Sequence, residues 1–139
     1  MNHLHTWIRA LISSMDNQLD EKTRAAVLEN CGRACANLGF IDTVKCCKDS
    51  AKSTDELLDD LRKVWGHLHR DGDDIYVVYE ECYCPLVNEY PGKLSPTFCN
   101  CSRGWVREVL ETVLEKPVEV ELEQSIKQGD QVCRFSIQL

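Results

Sequence analysis

The sequence predicts an α+β fold, N-terminal helices packed on a small antiparallel sheet, in one domain spanning residues 1–139. Three observations carry this. Apolar residues recur at helical spacing through the first half, the run "DIYVVYEECYC" is β-branched and aromatic, and the last twenty-odd residues alternate apolar with polar around a turn. The implied order is α-α-α-β-α-β-β, with helices covering one side of the sheet.

Leu4, Trp7, Ile8, Leu11, Ile12 and Met15 make the first helical stripe, and Val27, Leu28, Cys31, Ala34, Cys35 and Leu38 the second, ending at Gly39. A short helical piece over Ile41 to Lys48 carries Cys46 and Cys47. Ser53 then caps a helix in which Leu57, Leu61, Val64, Trp65 and Leu68 share a face, and Asp71-Gly72-Asp73 breaks it. The strand "DIYVVYEECYC" follows, then a loop with Pro85, Pro91, Gly92 and Pro96. It has no helix or strand pattern of its own and needs something to fix it. Helical spacing returns through Trp105, Val109, Leu110 and Val113. Val118, Val120 and Leu122 alternate with Glu119, Glu121 and Glu123, and after Lys127-Gln128-Gly129-Asp130 the apolar Cys133, Phe135, Ile137 and Leu139 alternate with polar residues, a hairpin with one wet face. The glutamate stripe is that solvated face.

The formal net charge of −7 opposes a nucleic-acid partner. No stretch approaches the ~20 apolar residues of a membrane span, and the N-terminal residues lack the pattern of a secretory signal. The expected setting is the cytoplasm, where thiols stay reduced and clustered cysteines bind metal or do chemistry more often than they form disulfides.

Nine cysteines exceed ordinary usage, and four fall within "CYCPLVNEYPGKLSPTFCNC". Two close pairs joined by a loop can supply a tetrahedral zinc site from Cys82, Cys84, Cys99 and Cys101, although C-x-C is tighter than the C-x₂₋₄-C of most zinc knuckles. Cys99 and Cys101 stand where a helix begins, a position that favours thiolate. The alternative is that these thiols are small buried apolar side chains. Cys31 and Cys35, one helical turn apart, either pack in the core or line a pocket, and are too far apart to bridge. Gly32 between them costs ~1 kcal/mol in a helix relative to Ala, which asks for a packing or binding reason. Arg33 is either a solvated charge or a clamp for an acidic ligand. Of the histidines away from the terminus, His67 and His69 cannot face the same way on one helix, and no Ser-His-Asp order, Walker loop or H-E-x-x-H is present. An enzyme here is a cysteine or metal enzyme.

The segment "CNCSRGWVREVLETVLEKPVEVELEQSIKQGDQVCRFSIQL" resembles the end of the 4-vinyl reductase domain family, through Cys99 or Cys101, Gly104, Glu123, Gly129, Asp130, Cys133 and Phe135. Ser125 or Ile126 stands where that family has a cysteine, so its cysteine metal site requires a substitute such as Cys82 or Cys84. "CYCPL" and the upstream "CGRACA" are similar to the cysteine-rich bacterial family that includes L-2-amino-thiazoline-4-carboxylate hydrolase. The first resemblance implies a ligand-binding module that forms homodimers. The second implies a hydrolase of a small amide- or thiazoline-like substrate, with Cys99 or Cys101 as nucleophile. The expectation is a domain binding a small, partly apolar molecule between helices and sheet, lined by Cys31, Cys35, Trp65, Arg103, Trp105 and Cys133, with the thiol or zinc site at its mouth.

Overall fold

The computed structural model describes residues 2–139 and has an α+β fold. Four helices come first, α1 (His3–Gln18), α2 (Glu21–Ala36), α3 (Phe40–Ser50) and α4 (Thr54–Val64). Three begin where a side chain satisfies an orphan backbone N–H: Asn2 accepts from His5, Asp20 from Thr23 and Ser53 from Glu56. Strands β1 (Leu68–Asp71) and β2 (Asp74–Tyr79), helix α5 (Cys99–Leu114) and the hairpin β3 (Glu119–Gln124) and β4 (Cys133–Gln138) complete the chain. The sheet is antiparallel in the order β1-β2-β4-β3. No helix among the described residues is long and apolar enough to cross a membrane.

Two boundaries differ from expectation. The helix begun at Ser53 stops at Val64, and Leu68 reaches the core from β1 instead, paired with Val77. Asp71-Gly72-Asp73 is therefore a hairpin turn, with Gly72 at φ 63°, and not merely a helix terminator. Likewise β2 stops at Tyr79, so Cys82 and Cys84 lie in irregular chain beyond the sheet and share no strand face.

One core sits between the inner sheet face (Leu68, Val77, Val120, Phe135, Ile137) and α3, α4 and α5. A second cluster joins Ile8, Ile12 and Met15 of α1 and Leu28 of α2 to Val87, Tyr90, Leu94 and Phe98. The segment between Cys84 and Cys99 is thus anchored by Val87, Tyr90, Leu94 and Phe98, each under 9% exposed. It is also tied to α1 through Asp16, which accepts from Ser95 Oγ at 2.7 Å and from Thr97 Oγ1 and lies 3.5 Å from Arg24 Nε. The hydrogen bonds from Thr97 and Ser95 hold the Asp16 carboxyl below its ordinary value of 3.8. A depressed folded pKa gives stability that is present above pH 3.8 and lost as pH falls through the folded value. Urea midpoints of wild type and Asp16→Asn should accordingly differ most at neutral pH and converge as the pH falls below 3.8 and through the lowered folded value. A gap that stays constant down to pH 2 would remove Asp16 from the acid response.

Candidate functional site

Helices α2 and α5 cross in backbone contact. A Cβ on Gly32 would fall 2.8 Å from the Cys101 carbonyl carbon, and one on Gly104 would fall 2.6 Å from Glu29 Cα. Gly32, with Leu28 and Ala36, forms the buried face of α2. Packing is the reason for a glycine inside this helix. Ion pairs flank the crossing: Arg103 Nε donates to Glu29 Oε1 at 2.7 Å and Arg107 lies 3.3 Å from Oε2, while Arg33 reaches Glu111 at 2.8 Å and Glu108 at 3.1 Å. Arg33 and Arg103 are therefore interhelical partners, with their charges already matched.

That contact decides where the thiols go. Cys31 and Cys35 are exposed, not in the core, because the buried stripe runs one position away through Gly32 and Ala36. Cys101, whose backbone touches Gly32, lies beside them, and Cys84 and Cys101 both pack half-buried against the second cluster. Burial, then Cys84, Cys35 and Cys31, push the Cys101 thiol up to about 12. Burial is also the main reason that Cys84 is raised.

Cys99, the other member of its pair, turns elsewhere, while Cys82 packs with Cys84 against the same second cluster and also neighbours Cys133. The buried Cys99 thiol donates to Ser125 Oγ at 3.3 Å and accepts from Gln128 Nε2 at 3.0 Å. Cys133 accepts from the Ile126 N–H at 3.4 Å, and its thiol is raised by burial and then by nearby Cys82 and Cys99. Thus Cys99 and Cys133 with Ser125 form one group and Cys31, Cys35, Cys84 and Cys101 another, with Cys82 between them as a neighbour of both Cys84 and Cys133. The four loop cysteines are divided between the groups, Cys84 in one, Cys99 in the other, Cys101 with Cys84, and Cys82 bridging the two. Among the described residues, no three or more His, Cys, Asp or Glu side chains stand close enough to hold a metal as oriented here.

Beside the first group lies an aromatic cluster. Tyr79, paired with Cys133 across β2 and β4, meets Phe135 edge-on at 6.3 Å. Phe40 stacks on Trp105 at 5.1 Å, and Trp65 packs edge-on against both at 5.9 and 5.7 Å. Trp65 is 3% exposed and its Nε1 has no hydrogen-bond partner; the Tyr79 phenol lies beside it without bonding geometry. Desolvation keeps that phenol protonated far above its usual range. The spacing of the sequence marks Trp65 and Trp105 but not Phe40 or Tyr79, which look like ordinary core residues until the fold brings them together. Two open surface hollows, of about 380 Å³ beside Asp55 and Arg70 and about 220 Å³ beside Asp16 and Tyr90, lie away from both thiols and tryptophans.

A cysteine nucleophile needs a base. His67 Nδ1 is 3.1 Å from the Val78 carbonyl, with its ring against Tyr79 and Tyr83, and His69 stacks on Tyr76. Among the described residues neither imidazole hydrogen-bonds a thiol. With its pKa raised, Cys101 is the reverse of an activated nucleophile.

Comparison with solved structures places this architecture beside the phenol-responsive sensory domain of the transcription activator PoxR, crystallised with phenol. The TM-score is 0.55 at 12% identity, over 98% of this chain and 74% of that one. At that identity the likeness is one of fold. No curated protein matches the sequence. The profile of the Family of unknown function (DUF6144) matches residues 1–139, and with the whole chain covered, the protein belongs to that family.

Proposed function

We propose that this domain binds a small, partly apolar molecule carrying a hydrogen-bond acceptor, taken up where Phe40, Trp65, Tyr79 and Trp105 meet. The observation that carries the reading is the buried, unpartnered Trp65 Nε1. A donor left unpaired in the interior costs ~1–3 kcal/mol, which a ligand oxygen accepting from it would recover. Aromatic walls supply the apolar contact and the two polar tips, indole N–H and phenol O–H, supply orientation. The likeness in fold to a domain crystallised with phenol supports the same class of ligand. Phe40 and Trp105 are only half-buried, so their side chains are the ones that move to admit it. Cys82, Cys99 and Cys133 adjoin the cluster through Tyr79, as the expected thiol-lined mouth would.

Titration with phenol, indole and medium-chain fatty acids tests this. One class should change tryptophan emission saturably, and Trp65→Phe, which keeps Trp105 as reporter, should weaken that binding roughly tenfold. Emission unchanged across the panel, or binding indifferent to Trp65→Phe, would overturn the reading.

A further inference from the structure

The geometry points to a soft-metal site one helical turn along α5 from Trp105, in which Cys31, Cys35, Cys84 and Cys101 bind one zinc-like divalent ion as four thiolates. It is independent of the small-molecule reading and uses a ligand set that no spacing rule in the sequence picks out.

The four sulfurs come from three parts of the fold that are already locked together. Cys31 and Cys35 stand one turn apart on α2, on the same side of the helix. Gly32 between them touches the Cys101 backbone, so the first turn of α5 arrives beside that pair at fixed distance. Cys84 is held next to Cys101 because both pack against the cluster formed by α1, α2 and the segment after β2. Each of these three placements is set by packing that involves no metal.

The chemistry of the donors fits the ion. Four sulfurs are the usual complement of a closed tetrahedral zinc site. The Leu86 and Val87 backbone N–H groups lie close enough to Cys84 to favour its thiolate, the Val87 N–H itself donating to the Cys84 carbonyl at 3.1 Å. Cys101 lies near the N-terminal end of α5, where the helix dipole also favours a negative sulfur. Cys101 has Cys84, Cys35 and Cys31 for neighbours, and a cation among them would offset the repulsion that four thiolates exert on one another. Binding therefore expels up to four thiol protons, one from each sulfur, as the Zn–S bonds form. The sulfurs do not stand at ligand distance as oriented here. A cysteine has one side-chain torsion, and a hop between its staggered wells moves the sulfur by ~3 Å. Cys31 and Cys35, being exposed, can make that hop without disturbing the core.

The untagged full chain, reduced and stripped by chelator, should take up one equivalent of zinc. Cobalt in its place should show sulfur-to-metal charge-transfer absorption of a four-thiolate intensity. Cys31→Ser and Cys35→Ser, at exposed positions, should keep the wild-type circular dichroism and lose roughly a hundredfold in affinity. Cys133→Ser and Cys46→Ser should bind as wild type does. No uptake by the reduced chain would overturn the proposal. So would uptake that survives Cys31→Ser and Cys35→Ser but disappears in Cys133→Ser, which would put the ion in the other thiol group.

Discussion

Gly32→Ala is expected to lower the melting temperature by roughly 10 °C, although a single methyl is added and helix propensity favours the change by ~1 kcal/mol. The new Cβ would sit 2.8 Å from the Cys101 carbonyl carbon, closer still to its oxygen, and 2.9 Å from the Trp105 nitrogen. These are backbone atoms of α5, and no side chain can rotate to make room. Either the helices separate or both backbones bend, so the cost lies at or above the ~3 kcal/mol end of overpacking. Separation would also pull apart the Glu29–Arg103 and Arg33–Glu111 pairs that flank the crossing. Gly104→Ala should behave the same way from the other helix, where the obstacle is the Glu29 backbone. Gly66→Ala is the control: nothing lies within 4 Å of its Cβ, and its melting temperature should stay near wild type. A Gly32→Ala protein melting within 2 °C of wild type would mean that α2 and α5 are not in backbone contact.

The same glycine marks where sequence reasoning reached its limit. A period-3.6 pattern is read from apolar side chains, and on α2 that puts Val27, Cys31, Cys35 and Leu38 inward. The face that packs is centred on Leu28, Gly32 and Ala36, two of which have almost no side chain to register. Leu38 is 86% exposed as a result. On β1, Leu68 continues the spacing of Leu57, Leu61 and Trp65 so well that only its partner Val77 reveals a strand. By contrast, β3 and β4 were legible because strict alternation over both arms leaves one register that buries Val120, Phe135 and Ile137 together. The thiols divide similarly. The two short pairs Cys82/Cys84 and Cys99/Cys101 are visible in the sequence, but which sulfur faces which depends on the end of β2 and on the helix crossing, neither of which has a local signal.

Alkylation of Cys101 by iodoacetamide at pH 8, with chelator present, is expected to run roughly a hundredfold slower than that of free cysteine. With its thiol pushed up to about 12, against ~8.5 for an ordinary one, the thiolate fraction falls by more than three powers of ten. The more basic thiolate is intrinsically more nucleophilic, with a Brønsted slope of ~0.4–0.5, which returns part of that loss. Burial also slows a reagent, so the rate alone is ambiguous, and the pH profile separates the two causes. A raised pKa makes the rate climb tenfold per pH unit through pH 10 without levelling, whereas simple inaccessibility leaves a plateau above pH 9. The distinction bears directly on catalysis. A cysteine hydrolase requires its nucleophile to be thiolate near neutrality, with a base in reach, and Cys101 has neither at hand. If Cys101 instead reacts as fast as free cysteine and levels off by pH 8, its thiol is activated by something in solution, and the hydrolase reading replaces the binding one.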